Sequence, residues 1–277
     1  MRGREAIEEK EYLTDAFGRE AVAYIDRHKE EPFFLYLTFN AVHTPLQAND
    51  KYTAPFTGIA DPKRRKYAAM MAAMDANVGK VLQKLRDEKL EENTLVFFIS
   101  DNGGPPANAS NNGDLRGHKA QTWEGGIRVP YFVSWKGKIP AGKTYDQPAI
   151  QLDIVPTVLA AAGIESDAKF DGVNLLPYLA GEKKEAPHDK LYWRFGQQRA
   201  IRAGDWKLVQ GVGVTEPILV NLATDLGEKM DLSSEQPAKR KELEDAWQAW
   251  NKELENPRWR PNANPGNNMK KKKKAAT

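Results

Sequence analysis

Residues 95–130 constrain the fold more than any other part of this chain. They read LVFFISDNGGPPANASNNGDLRGHKAQTWEGGIRVP. The apolar run Leu95, Val96, Phe97, Phe98, Ile99 breaks at once into Ser100, Asp101, Asn102, Gly103 and Gly104. A run with no polar alternation reads as a strand covered on both faces, which requires layers above and below a sheet. An acid and an amide placed where such a strand ends match the way α/β sheets present ligands at their carboxyl edge. The stretch therefore predicts an α/β protein with its chemistry at that edge.

The flanking sequence supports this alternation. Residues 15–30 read as a helix with Asp15 as its cap and Ala16, Phe17, Ala21, Ala23, Tyr24 and Ile25 on its apolar face. Pro32 stops it, and residues 33–39, FFLYLTF, form a second strand apolar on both faces. That strand runs into the turn-like Asn40, Ala41, Val42, His43, Thr44, Pro45. A loop over 48–62 leads to a long helix over 63–88, whose Tyr67, Met70, Met71, Met74, Val78, Val81, Leu82 and Leu85 recur at three- and four-residue spacings. The methionines on that face are core filler. Residues 131–135 form a further strand, and 150–162 a helix capped near Asp153 with Gly163 just past its end. Helix and strand alternate, as in a mostly parallel sheet flanked by helices.

From residue 191 the texture changes. Short strands over 191–195, 198–201, 206–210 and 217–221 are separated by turns, with a hairpin at Arg202, Ala203, Gly204 and Asp205. A helix over 235–254 carries Leu243, Trp247, Trp250 and Leu254, so a small antiparallel sheet with one covering helix is expected. The division is 1–188 for the α/β part and 189–256 for the small α+β subdomain. Residues 257–277 are rich in Asn, Pro and Lys and read as a disordered basic tail.

Composition excludes several functions. The chain has no cysteine, which removes disulfides, thiolate metal sites and a Cys nucleophile from these residues. The net charge is +3, but residues 270–274 are all lysine, so the body is near neutral and gives no case for a nucleic-acid partner. No apolar run approaches the ~20 residues of a membrane span. Residues 1–15 are charged and carry no apolar signal-peptide core, so no signal peptide is expected in this sequence.

Four residues stand out as chemistry-bearing. Asp101 and Asn102 offer hard oxygen donors, suited to Ca²⁺ or Mg²⁺, but only two of the ~6–8 oxygens that Ca²⁺ takes. An ordinary Asx turn is the competing reading. His43 follows the second apolar strand at the same inferred edge; it can bind an anion or give up a proton, or merely tie down the turn before Pro45. Lys119, between Gly117 and Glu124-Gly125-Gly126, can hold the oxygens of a sulfate or phosphate group, or lie on the surface. Arg128 sits in an apolar context and needs a partner, with Glu124 or Asp101 as the candidates. Arg116 and His118 are loop residues that can contact an anion. Trp123, Trp193 and Arg194 face substrate or fill the core, the latter being usual for aromatics.

Three segments taken together resemble the type I sulfatases, members of the alkaline-phosphatase-like superfamily. They are Asn-Ala-Val-His-Thr-Pro-Leu from Asn40, Val-Phe-Phe-Ile-Ser-Asp-Asn-Gly-Gly from Val96, and Leu-Arg-Gly-x-Lys-x-x-x-Trp-Glu-Gly-Gly-Ile-Arg-Val-Pro from Leu115. Tyr192-Trp193-Arg194-Phe195, Ala200-Ile201-Arg202 and Trp206-Lys207-Leu208 resemble the C-terminal subdomain of that family. The likeness spans roughly residues 12–260. It implies Asp101 and Asn102 as the two later ligands of a Ca²⁺, Lys119 as the lysine on the sulfate and leaving-group oxygen, and His43 as a second sulfate contact able to protonate the leaving group. It also implies a sulfated small molecule or sulfated glycan as partner, and a periplasmic or extracellular setting.

The resemblance has one large departure. The family nucleophile is a formylglycine made from the Cys or Ser of a Cys/Ser-x-Pro/Ala-x-Arg motif, preceded by a strand ending in two metal-binding Asp residues. Neither the motif nor that strand occurs here. The expectation is a chain that carries half of a metal shell and part of a leaving-group apparatus, binds Ca²⁺ weakly or not at all, and does not turn over sulfate esters alone. A phosphoester or phosphonate hydrolase of the same superfamily is a second reading; the presence of only four histidines, two of them outside the strand-end motifs, weighs against it. A non-catalytic binder of sulfated glycans through Lys119, His43 and Arg116 is a third.

Overall fold

A computed structural model describes residues 3–256. The expected tail at 257–277 lies outside the described residues. The chain divides into two compact units, one of residues 1–112 and 129–187 and one of 113–128 and 188–277. Residues 113–128, which the sequence reading keeps with the α/β part, group with the second unit.

In the first unit, α1 (Leu13–His28) packs against α3 (Pro62–Asp87), with the short α2 (Asp50–Thr53) beside α3. Ala16, Ala21 and Ile25 bury on α1, and Ala69, Met70, Ala73 and Leu85 on α3. Pro62 takes the first helical position, where its missing N–H costs nothing, and Asp61 caps the helix by accepting from the Lys63 and Arg64 amides at 2.7 and 3.0 Å. The two helices meet over a polar seam. Asp15, 2% exposed, accepts from the Tyr52 hydroxyl at 2.6 Å and the Asn77 amide at 2.8 Å and pairs with Lys51 at 2.9 Å. Burial alone would raise its pKa, but the hydrogen bonds from Asn77, Tyr52 and Lys51 and the charge of Lys51 outweigh it and hold the carboxyl below the usual range. Gly18 is required there, because a Cβ would fall 2.2 Å from the Asn77 amide oxygen.

Strand β1 (Val96–Ile99) pairs antiparallel with β2 (Tyr131–Ser134), Val96 opposite Ser134 and Ile99 opposite Tyr131. This departs from the expected parallel sheet: among the described residues every ladder is antiparallel. Residues 33–39 also depart from expectation. They belong to no ladder, and their burial alternates, with Phe33, Leu35, Leu37 and Phe39 turned in and Phe34 and Tyr36 out, 69% and 79% exposed. A sequence apolar on both sides thus has only one side covered, against α1, through edge-on contacts of Phe33 with Tyr24 and Phe39 with Phe17. The unit ends in α5 (Ile154–Ala161) and α6 (Leu176–Leu179). Asp153, fully buried, accepts from the Ile150 and Val173 amides at 2.8 and 2.9 Å and so pins the loop after α5 to that helix's start.

The second unit is a four-stranded antiparallel meander, β3 (Leu191–Phe195), β4 (Gln198–Ala203), β5 (Trp206–Gln210) and β6 (Ile218–Asn221), covered by α7 (Pro237–Glu253). These elements follow the sequence expectation closely. Gly204, at φ +58, supplies the left-handed residue of the β4–β5 turn without a Cβ penalty. Ile201, Leu208, Leu219, Leu243 and Trp247 form the core beneath α7, and Tyr192 stacks on Trp250 at 4.9 Å. The opposite face buries Trp123, Ala200 and Val209. The α/β class and the small sheet with its helix therefore hold; the parallel pairing does not form here.

Candidate active site

Asp101 and Asn102 stand where β1 ends. The Ser100 amide donates to the Pro130 carbonyl at 3.2 Å, the last bond before the loop leaves β2. The Gln151 side chain, just before α5, donates to the Ser100 and Asp101 carbonyls at 2.9 and 3.2 Å and fixes the backbone of the turn. The Asp101 carboxylate is exposed and takes no hydrogen bond or ion pair within the described residues. The Asn102 amide nitrogen donates to the Gly103 carbonyl at 3.2 Å, which leaves its oxygen as an available acceptor. Each residue thus offers a hard oxygen. They suit a hard cation, but no group of three or more His, Cys, Asp or Glu side chains able to hold a metal occurs among the described residues. The pair fits part of a Ca²⁺ shell and does not form one.

His43 lies in an exposed turn between the cis peptides Ala41–Val42 and Thr44–Pro45. Its Nδ1 donates to the Thr44 carbonyl at 2.7 Å, so Nε2 is the nitrogen left to meet a ligand. The loop after Asp101 is tied to this turn: the Asn108 amide donates to the Val42 carbonyl at 3.1 Å. Asn112 closes the base of that loop, exchanging two bonds with the Gly104 backbone at 2.9 and 2.8 Å. Arg64, at the start of α3, donates to the Ala109 carbonyl at 2.8 Å. The first unit thus links the Asp101–Asn102 and His43 turns through hydrogen-bonded loops.

Lys119 belongs to the second unit. It is half-buried, and its ammonium has no acidic partner among the described residues. The loop around it is held tightly. Gln198, at the start of β4, donates to the Ala120 carbonyl at 2.9 Å and accepts from the Thr122 amide at 3.3 Å. Trp123 is buried and donates to the Val212 carbonyl at 3.1 Å. The glycines of α4 (Glu124–Ile127) are obligatory, since a Cβ on Gly125 would fall 2.3 Å from the Gly117 carbonyl and one on Gly126 2.1 Å from that of Gln121. An unpaired lysine on a rigid loop is the arrangement an anion contact requires.

Beneath this loop lies a cluster that sequence reading missed. Lys207, fully buried on β5, pairs with Glu124 and with Glu228, each at 2.8 Å. Glu228 also accepts from the Glu124 amide at 2.7 Å, and its own backbone carbonyl accepts from Arg116. Burial pushes the Glu228 carboxyl above its usual pKa and repulsion from Glu124 adds to this, against the opposing charge and hydrogen bond of Lys207 and the hydrogen bond from the Glu124 amide. A lysine in a strand ordinarily marks the solvent face, so the sequence held no signal for this cluster beyond the unbroken apolar setting of Trp206, Leu208 and Val209.

The remaining candidates have structural partners. Arg116 stacks on Trp123 at 3.6 Å and donates to the Glu228 carbonyl at 2.7 Å. Arg128 approaches Glu124 at 3.8 Å, as one of its two expected partners. Trp123 is core, and Arg194 is engaged by Asn251 and the Glu255 carbonyl.

The first unit thus carries two oxygen donors at the end of β1 and a histidine on a turn linked to the same loop, and the second carries a lysine on a hydrogen-bonded loop. Comparison with known proteins carries this further. The family profile described as "Sulfatase" matches residues 2–164, and that described as "N-sulphoglucosamine sulphohydrolase, C-terminal" matches residues 118–245. The chain belongs to the sulfatase family. It is 37% identical to the uncharacterized sulfatase YdeN of Escherichia coli over 203 residues, which cover 70% of this chain and 35% of that protein. It is 37% identical to human arylsulfatase H over 205 residues, covering 69% of this chain and 35% of the relative. The crystal structure of Ps i-CgsB matches with a TM-score of 0.90 at 36% identity, over 97% of this chain and 61% of that one. A second structure of Ps i-CgsB, in complex with k-i-k-neocarrahexaose, matches with a TM-score of 0.88. The chain thus spans about a third of the length of these curated relatives and under two thirds of the matched structures.

Proposed function

We propose that this chain supplies the later metal ligands and the leaving-group side of a sulfatase active site, acting on sulfate esters and, by analogy with the glycan-bound relative, on sulfated glycans. The observation that supports the reading most is Lys119: a half-buried cation with no acidic partner among the described residues, on a loop fixed by Gln198, Trp123 and two obligatory glycines. Such a lysine needs no reorganisation to neutralise a sulfate oxygen. Asp101 and the Asn102 oxygen would hold a Ca²⁺, which when bound would draw charge from the sulfate oxygens. His43, with Nδ1 committed to Thr44, offers Nε2 for proton transfer to a departing alcohol. The formylglycine nucleophile has no source in these residues, so the isolated chain binds the anion without turning it over.

The test is a sulfatase assay on the purified chain with an aryl sulfate and Ca²⁺. No turnover is expected. Turnover that disappears in Lys119→Ala would overturn the assignment of a partial site.

A further inference from the structure

Glu228 sits in a turn that places its backbone at φ +52. That left-handed conformation suits glycine and is costly for a residue with a Cβ. Asp225 holds the turn. Its carboxylate accepts from the Lys229 and Met230 amides at 2.6 and 2.8 Å, and its carbonyl accepts from the Glu228 amide at 3.2 Å. The Glu228 side chain is fully buried. From this one position it reaches both stems of the loop that carries Lys119. Its carboxylate accepts from the Glu124 amide at 2.7 Å on the outgoing stem, and its carbonyl accepts from the Arg116 guanidinium at 2.7 Å on the incoming one. The stems meet at their base, where the Gly125 amide donates to the Arg116 carbonyl at 2.7 Å. At the tip, the Gln121 amide donates to the His118 carbonyl at 3.1 Å, and His118 Nδ1 donates to the Lys119 carbonyl at 3.0 Å.

Neutralising Lys207 does not require Glu228. Glu124 already pairs with that lysine at 2.8 Å, so one buried cation has one buried anion without it. A second buried carboxylate against the same lysine adds a desolvation penalty. What it adds in return is an acceptor for a loop amide. Lysine is a point charge on a flexible stem, so its placement against an anion depends on the backbone that bears it. We infer that Glu228 is a positioning residue for Lys119: it clamps both stems of the loop and so holds the lysine where a sulfate ester meets it. This rests on the reading of Lys119 as a sulfate contact.

The experiment compares two near-isosteric variants of the full chain, Glu228→Gln and Glu228→Met. Both remove the Glu228 charge and leave Lys207 with Glu124; only glutamine keeps an acceptor for the Glu124 amide. Hydrogen exchange is followed at the Glu124 and Gly125 amides, with those of Ile201 and Leu208 in the central strands reporting the unit as a whole. Leu243→Ala, in the core beneath α7, is the control for general destabilisation. Affinity for p-nitrophenyl sulfate is measured by titration in parallel. In Glu228→Met the two loop amides exchange about tenfold faster or more, beyond any change at Ile201 and Leu208, and affinity falls about fivefold or more. Glu228→Gln restores both to within about threefold of the unaltered chain. Leu243→Ala speeds exchange throughout the unit without singling out the loop. Loop exchange in Glu228→Met that matches Leu243→Ala, a Glu228→Gln variant as impaired as Glu228→Met, or an opened loop with unchanged affinity overturns the inference. An unaltered chain that does not bind p-nitrophenyl sulfate, or a Lys119→Ala chain that binds it equally well, refutes the sulfate-contact reading instead, and the exchange rates still decide whether Glu228 clamps the loop.

Discussion

Replacing Lys207 with Met tests the energetic reading of the second unit. Among the described residues Lys207 is the one cation paired with the Glu228 carboxylate, and it is the partner of Glu124 at 2.8 Å; Glu124 meets Arg128 at 3.8 Å, and that arginine is half-exposed. Methionine fills a similar volume, so the change removes charge rather than packing. It leaves two buried carboxylates facing each other, 2% and 0% exposed. Deleting one partner of a buried ion pair costs about 3–5 kcal/mol. The loss is pH-dependent, because a carboxylate stripped of its lysine takes up a proton. It is therefore largest at neutral pH and shrinks toward the carboxyl range near pH ~4. Trp123, Trp193, Trp206, Trp247 and Trp250 all lie in this unit, so tryptophan fluorescence during urea unfolding reports it. Glu124→Gln is the matched control. Its amide oxygen still accepts from Lys207 and it leaves Lys207 and Glu228 as a neutral pair, so it costs less than about 1 kcal/mol. A Lys207→Met loss below about 1 kcal/mol, or one that stays constant with pH, refutes the account of the cluster.

Four further outcomes follow from the geometry. Asn77→Ala removes a buried bond to a charged acceptor and lowers first-unit stability by about 1.5–3 kcal/mol in thermal unfolding, and Gly18→Ala, whose Cβ would overlap Asn77, costs about 1–3 kcal/mol. Asp15 has a depressed folded pKa, so its contribution is present above pH ~4 and lost as pH falls through the folded value; Asp15→Asn flattens the acid limb of the stability profile. Calorimetric titration of the isolated chain with Ca²⁺ gives a dissociation constant on the order of 10⁻³ M or weaker, since two oxygen donors leave most of the shell to water.

Much of this architecture is legible in the sequence alone. The meander and α7 followed from turn residues at regular spacing and an aromatic stripe at helical spacing, signals local enough to survive without tertiary context. Asp101, Asn102, His43 and Lys119 stand out in the sequence as candidates because each sits beside a strand end or a glycine pair. The sheet pairing was not legible. Residues 33–39 carry apolar side chains on both faces, and composition cannot say whether both are covered; in this chain one is open. The Lys207 cluster was invisible for the opposite reason. A charged residue in a strand reads as solvent-facing unless its partners are known, and Glu124 and Glu228 lie far from it in sequence. Arg116 shows the same limit, for its stacking on Trp123 and its bond to Glu228 depend on a fold that spacing does not reveal.

The most direct test of the central claim is aryl sulfate hydrolysis, measured for the chain alone and for the chain joined to a formylglycine-bearing complementary segment of a relative, with Ca²⁺ present. The account predicts no turnover by the chain alone, turnover in the complex, and loss of that turnover in Lys119→Ala. Hydrolysis by the chain alone, or hydrolysis in the complex that Lys119→Ala leaves untouched, would contradict it.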